Sequence, residues 1–229
     1  MKFNNETIRT AVKEWLENSK EAEAKYGHIS NWDVSDVTDM SQMFVDAESF
    51  NQDIGKWDVS NVTEMSEMFS WAISFNQDIS NWDVSKVIDM LGMFKNANSF
   101  NHCIGNWNVR NVKYMNRMFK NAISFNQSLE KWDVSNVKNM SFMFKNAVAF
   151  NQPLDKWNVS KNTDISGIFL NTKSLNQEIK WYDRDEINED KYMFDGAEAF
   201  NQNLKNWKVN IKDENKMVDS EEKCFSCTN

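Results

Sequence analysis

The side chains that could perform nucleophilic or acid–base chemistry are few and poorly placed for it. The chain contains two histidines, His28 and His102. His102 is followed directly by Cys103, so on an extended chain the imidazole and the thiol would point to opposite faces. A Cys–His or Ser–His–Asp site needs a base that is held against its nucleophile. We therefore predict that the chain has no catalytic residue and is not an enzyme.

Metal and cofactor sites are not predicted either. Cys224 and Cys227 form a single C-x-x-C pair, which supplies only two of the four ligands of a structural zinc site. An aspartate row could attract Ca²⁺, but Asn108 interrupts it and serine usually follows two residues later, which favours turns instead. The members of this row are Asp33, Asp58, Asp83 and Asp133. We expect no bound metal and no cofactor.

Cations are concentrated in the middle of an otherwise acidic chain. Residues 110–161 contain nine cations and three acids, whereas the whole chain has a net charge of −8. Lys95, Lys120 and Lys145 are spaced by 25 residues and form one row, and Lys113 and Lys138 form a second. These rows are either a solvated edge whose aliphatic stems cover the core or a cationic stripe that binds an acidic partner.

A tryptophan lies beside the first lysine row. Trp71 occupies the position that is held by Asn96, Asn121 and Asn146 in other parts of the chain. It is either an exposed aromatic anchor for a partner or packs under the N-terminal segment. The candidate partner-binding residues are Trp71, Lys95, Lys113, Lys120, Lys138 and Lys145.

All these positions belong to a tandem repeat that governs the whole chain. Tryptophan recurs every 25 residues, and Phe-Asn pairs recur with the same period and without an insertion. A unit of this size cannot close a core alone, so successive copies must stack. The tryptophans are Trp32, Trp57, Trp82, Trp107, Trp132 and Trp157, and Tyr182 and Trp207 continue the series.

The pattern inside one unit predicts two short elements. Residues 57–59 alternate between apolar and polar, which indicates a short strand, and the apolar residues of 62–75 are spaced by three or four, which indicates an α or 3₁₀ turn. We therefore predict a leucine-rich-repeat-like solenoid of about 7–8 coils. Each coil would hold a short parallel β-strand and a short helical turn. The recurring Asn row would satisfy backbone groups between coils.

The two ends of the repeat differ from its middle. Ile8, Ala11, Val12, Trp15 and Leu16 form the apolar side of an amphipathic helix over residues 5–24. We predict an N-terminal helical cap at residues 1–28, with Trp15 and Leu16 over the first coil, and a repeat solenoid at 29–209. Residues 210–229 are polar and aperiodic, so we expect a C-terminal tail that is a weak cap or mobile.

Composition excludes several classes of partner. The net charge of −8 argues against nucleic acid. The chain has no run of 18 apolar residues, so no membrane span is expected. The N-terminal residues lack the apolar core of a secretion signal and an early cysteine for a lipid anchor. By these features alone the protein is expected to be cytoplasmic.

The unit WDVSNVTEMSEMFSWAISFNQDI at residues 57–79 resembles the repeat of the BspA-type bacterial surface proteins. The resemblance covers about residues 29–209. It implies a leucine-rich-repeat-like fold, a role in adhesion or protein interaction, and a location at the cell surface or outside the cell. The family brings no catalytic residues to this chain.

Two functions follow from these observations. The first is a non-catalytic protein-interaction or adhesion module that binds another macromolecule, most simply an acidic protein, as a monomer. The alternative is a structural module without a specific ligand, whose ends or edges associate with other copies of itself.

Overall fold

The computed structural model describes residues 1–161, 163–181 and 192–202. Helix α1 spans Asn5–Glu17, helix α2 spans Ser19–Tyr26, and a 3₁₀ helix spans Ile29–Asn31. All three precede the first tryptophan of the repeat. The other described residues form turns and short extended connections, and they contain no helix and no β-strand.

The N-terminal segment is two helices rather than one. Asn4 caps α1: its side-chain oxygen accepts hydrogen bonds from the N–H groups of Glu6 and Thr7, and the Thr7 hydroxyl accepts the N–H of Asn4. The chain leaves helical geometry at Asn18, and the Asn18 side chain then caps α2. The single helix predicted over residues 5–24 is therefore interrupted by a residue that suits a cap better than a helix interior.

Successive 25-residue units stack in register, and the backbone connects them. We number the units 1 to 6 from Trp32, Trp57, Trp82, Trp107, Trp132 and Trp157. In unit 2 the N–H groups of Met65, Glu67, Phe69 and Trp71 each donate to a carbonyl 24 residues later, over 2.7–2.9 Å. The corresponding residues of units 1, 3, 4 and 5 do the same. A single unit cannot close a core alone, and these hydrogen bonds to its neighbours fix its backbone.

The predicted fold class, a leucine-rich-repeat-like solenoid of strand-plus-helix coils, is wrong. The strand expected at residues 57–59 is absent, and within the described residues neighbouring units share only one isolated parallel bridge, as between Glu64 and Asp89. The helical turn is absent because Glu67 and Trp71 have positive φ angles of 53° and 62°. A residue with left-handed backbone angles ends a right-handed helical turn. Backbone N–H groups therefore alternate between 3₁₀-type bonds inside the unit and bonds to the next unit, and no helix forms.

Rows of identical side chains form the core. The tryptophan, methionine, phenylalanine, valine and alanine rows of the units are buried from Trp32 to Trp181. Stacked rings of neighbouring units lie 5.5 Å apart at Phe44 and Phe69 and 6.5 Å apart at Trp107 and Trp132. Each tryptophan also has a polar role, because the indole N–H of Trp57 donates to the carbonyl of Ile29 over 2.9 Å. This bond recurs along the row.

The tryptophan row continues at residue 181 rather than 182. Trp181 stacks on Trp157 at 5.9 Å and 5°, and its indole N–H donates to the carbonyl of Leu154. Trp181 therefore holds the place that the period assigned to Tyr182. Residue 182 lies outside the described residues, as do Trp207 and the predicted tail at 210–229.

The asparagine row connects units along an edge that is partly open to solvent. The Asn126 side-chain oxygen accepts from the Asn151 backbone N–H over 2.9 Å and from the Gln152 amide over 3.0 Å. The Asn126 N–H donates in turn to the Asn101 side chain. The expectation that this row satisfies backbone groups is confirmed, and most of its members are exposed to solvent.

Helix α1 covers the first unit and supplies hydrogen-bond acceptors that a preceding unit supplies elsewhere in the stack. The Asn5 side-chain oxygen accepts from the Thr38 N–H over 2.8 Å, where later units use a carbonyl of the unit before them. Arg9 donates to the carbonyl of Ser41 over 2.8 Å. Trp15 is buried as predicted, whereas Leu16 is 42% exposed and lines a shallow depression with Met43 and Val45 of the first unit.

Candidate functional site

The lysine row at residues 95, 120 and 145 is not the exposed stripe that the sequence suggested. Lys120 and Lys145 are each only 6% exposed, and Lys95 is half-buried. The Lys145 ammonium lies 5.7 Å from the centre of the Phe142 ring, a distance at which a cation is attracted to an aromatic face. These residues are therefore part of the packed interior of the turn, and two of the three cannot offer their charge to a partner.

The row that contains Trp71 continues as a ladder of asparagine side chains that starts at Asn96. Each amide from Asn121 onwards donates to the asparagine of the unit before it, and the Asn121–Asn96 bond measures 2.6 Å. Trp71 is half-buried in this row and has a left-handed backbone. The Asn96 amide nitrogen is buried and has no hydrogen-bond partner among the described residues, because the preceding residue of the row, Trp71, offers no amide oxygen. The hydrogen-bonded ladder of amides therefore ends at Asn96 and does not extend to Trp71.

Lys113 and Lys138 lie on a different face, where neighbouring units form their bridges. The Lys113 N–H donates to the carbonyl of Ile88, and the Lys138 N–H donates to the carbonyl of Lys113, both over 2.8 Å. The residues that follow them in the chain carry the isolated bridges. We call the two adjacent rows the bridge face: Thr38, Asp39, Thr63, Glu64, Ile88, Asp89, Lys113, Tyr114, Lys138, Asn139, Thr163 and Asp164.

Two large apolar side chains are exposed at the centre of the bridge face. Ile88 in unit 3 is 42% exposed, and Tyr114 in unit 4 is 41% exposed. The same two rows hold only Thr, Lys, Asp, Glu and Asn in units 1, 2, 5 and 6. Apolar residues at positions that are otherwise polar are the sequence signal for these two residues, and the prediction from the lysine rows does not include them. Exposed apolar side chains among charged ones are a common feature of protein-interaction sites.

Carboxylates occupy the face on the N-terminal side of this apolar pair. Asp39 lies 3.1 Å from Arg9, so α1 already neutralises it. Partial burial raises the pKa of Glu64, and the neighbouring Asp89 and Asp39 raise it further. Burial also raises the pKa of Asp89, although its carboxylate accepts the Leu91 N–H over 2.7 Å. Glu64 and Asp89 form no ion pair with any described residue.

The cations lie on the C-terminal side of the same pair. Lys138 is exposed and Lys113 is half-buried. Neither forms an ion pair within the described part of the chain. Along the stack the bridge face therefore reads acidic in units 2 and 3, apolar at the junction of units 3 and 4, and basic in units 4 and 5. The predicted lysines are divided accordingly, with Lys113 and Lys138 accessible and Lys120 and Lys145 buried.

The aspartate row that could attract a metal ion forms turns with nearby serines instead. The Asp58 carboxylate accepts the N–H of Ser60 over 3.1 Å, and hydrogen bonding from Ser60 lowers its pKa. Asp33, Asp83 and Asp133 bond the serine two residues later in the same way. Cys103 is exposed, while Cys224 and Cys227 lie outside the described residues. Among residues 1–161, 163–181 and 192–202, no group of metal-ligating side chains is close enough to hold an ion.

The stacked units define the molecule as a tandem-repeat protein. The chain belongs to the family described as "Mycoplasma protein of unknown function, DUF285", which matches residues 10–131 and again 124–226. No curated protein and no solved structure matches the chain. None of the helices in the described ranges is long and apolar enough to cross a membrane.

Proposed function

We propose that the protein is a non-catalytic interaction module that binds another protein through the bridge face. The exposure of Ile88 and Tyr114 between charged groups carries this proposal. Both side chains stand on a backbone fixed by bonds to the units on either side, so little conformational freedom is lost on binding. The family has no described function. The resemblance of residues 57–79 to BspA-type repeats supports a role in protein interaction or adhesion.

The charges of the bridge face indicate what the partner must offer. A surface that fits it carries an apolar group for Ile88 and Tyr114 and carboxylates for Lys113 and Lys138. An acidic protein satisfies this requirement. Nucleic acid does not, because the chain carries a net charge of −8 and the accessible cations adjoin uncompensated carboxylates.

Site-specific photocrosslinking tests the proposal. A photoreactive phenylalanine derivative replaces Tyr114 in one variant and Lys131, an exposed residue outside the bridge face, in a control variant. In extracts of the source cells we expect a protein adduct from position 114 and none from position 131. The adduct should disappear when Lys113→Glu and Lys138→Glu are added. An adduct that forms equally from both positions, or that survives the two charge reversals, would overturn the proposal.

A further inference from the structure

The order of charges over units 2 to 5 of the bridge face is self-complementary, while in unit 1 Asp39 is paired with Arg9 and in unit 6 Asp164 is a further carboxylate. Glu64 and Asp89 occupy units 2 and 3, whereas Lys113 and Lys138 occupy units 4 and 5. The sign of the charge therefore reverses at the junction of units 3 and 4, where Tyr114 is exposed. None of these four charged groups is compensated by an ion pair within the described residues.

A second copy that is turned end over end matches this order. With a two-fold axis in the interface between units 3 and 4, unit 2 of one copy faces unit 5 of the other, and unit 3 faces unit 4. Glu64 then comes beside Lys138 of the other copy, and Asp89 comes beside Lys113. The symmetry repeats both pairs, so one such interface contains four ion pairs. At its centre Ile88 and Tyr114 of the two copies meet and exclude water.

The alternative arrangement of two copies is unfavourable. When the stacks run in the same direction, each unit faces its own counterpart, and acidic units 2 and 3 face acidic units 2 and 3. Like charges in direct opposition repel. Only the reversed arrangement pairs unlike charges, and it closes at two copies because both partners use the same surface.

The size of the face sets the strength of the association. Six units at a spacing of 5.5–6.5 Å give a length of about 30 Å. A face of this length that is only two residues wide buries less than the roughly 1,000 Å² in total that a stable specific interface usually needs. Such a dimer is weak and reversible, and salt weakens it further because its ion pairs remain close to solvent.

We propose that the protein forms an antiparallel homodimer through the bridge face, with Glu64 of each copy paired with Lys138 of the other. This inference rests on the proposed interaction role of the face and names a second copy of the chain as its partner. The uncompensated charges and the exposed apolar pair of one copy are then covered by the same residues of the other.

A charge exchange tests the pairing. Glu64→Lys and Lys138→Glu are prepared as separate variants, and sedimentation equilibrium measures the dimer dissociation constant of each variant and of their equimolar mixture. In a dimer of either variant alone, two pairs of like charges face each other, so we expect the association to weaken at least tenfold. The mixture restores both pairs in the heterodimer, so its association returns to the level of the unchanged protein. Lys131→Glu, outside the bridge face, should leave the dissociation constant unchanged.

Several results would overturn the homodimer. One is an unchanged protein that stays monomeric at millimolar concentration in low salt. Another is a mixture that associates no better than its separate variants. A salt titration of the unchanged protein needs no variant, and a dimer that 0.5 M NaCl does not weaken also contradicts the pairing. Photocrosslinking separates this failure from failure of the proposed function: an adduct with a different protein, but none in the purified protein alone, removes the homodimer and leaves the interaction role.

Discussion

Replacing Asn126 by alanine tests the hydrogen bonds that connect units at the edge of the stack. The Asn126 side-chain oxygen accepts two hydrogen bonds, from the Asn151 backbone N–H and from the Gln152 amide, at 2.9 and 3.0 Å. Alanine removes the acceptor and leaves both donors to water or unpaired. The core rows are not touched by this change, so the effect measures the connection between units 4 and 5.

The expected loss follows from the number of bonds. A hydrogen bond contributes about 0.5–1.5 kcal/mol to stability, so two bonds give a loss of about 1–3 kcal/mol in the free energy of unfolding. With a urea m-value near the upper end of its usual range, about 3 kcal/mol/M, the midpoint falls by about 0.3–1 M. Urea denaturation followed by tryptophan fluorescence measures this shift, because every unit contributes a buried indole.

Two matched variants separate the bonds from other effects of the substitution. Asn126→Asp keeps the accepting oxygen, so it should be much closer to the unchanged protein than Asn126→Ala. Ser124→Ala changes an exposed side chain of the same unit and should leave the midpoint within about 0.2 M. The reasoning is refuted if Asn126→Ala shifts the midpoint no more than Ser124→Ala does.

Three further predictions address a charge, the first unit and a left-handed residue. Asp89→Asn should raise the urea midpoint at pH 7, because burial raises the pKa of this carboxyl and so disfavours its charged form in the folded protein. The gain should vanish once the pH falls below the ordinary pKa of aspartate, where the carboxyl is protonated in both the folded and the unfolded chain. A gain that persists at that pH contradicts burial of the charge as its cause. Asn5→Ala removes the acceptor of backbone N–H groups in unit 1 and should cost about 1–2 kcal/mol, seen in thermal denaturation. Gly167→Ala places a methyl group 2.5 Å from the Phe142 ring and should lower the free energy of unfolding by about 2–4 kcal/mol. Gly92→Ala has nearly the same backbone angle (φ 56° against 55°), but its methyl group lies 3.3 Å from a flexible side chain, so it should lower the free energy of unfolding by only about 1 kcal/mol. Equal losses for the two glycine variants would exclude the steric explanation.

The sequence was sufficient to predict the repeat and the composition of its core. Trp57, Met65 and Phe69 recur at fixed positions and are buried, as their period required. The backbone inside the unit was predicted wrongly. Glu67 and Trp71 are left-handed although neither is glycine, so nothing in their side chains distinguished two tight turns from a helix with the same apolar spacing. The inter-unit hydrogen bonds stabilise a conformation that local preference does not indicate.

The candidate site differs from its prediction for the same reason. A row of charged residues is usually solvated, which predicts exposed side chains at Lys120 and Lys145. Both are buried, because each lies in a turn between two residues with positive φ angles. Which side of such a turn faces solvent depends on its backbone geometry, and the repeat pattern does not contain that information. Ile88 and Tyr114 could have been found from the sequence, because they are apolar where the other units are polar.

The central claim is that residues 25 apart lie one above another, since the bridge face and every row depend on it. Spin labels test this claim at two pairs of exposed positions, 86 with 161 and 36 with 161, after the native cysteines are replaced by serine and the labelled protein is diluted with unlabelled protein. Pulsed electron paramagnetic resonance measures the distance within each pair. With 5.5–6.5 Å per unit, the three-unit pair should peak at about 17–20 Å and the five-unit pair at about 28–33 Å. Equal distances for the two pairs, or a five-unit distance above about 45 Å, would contradict the stack.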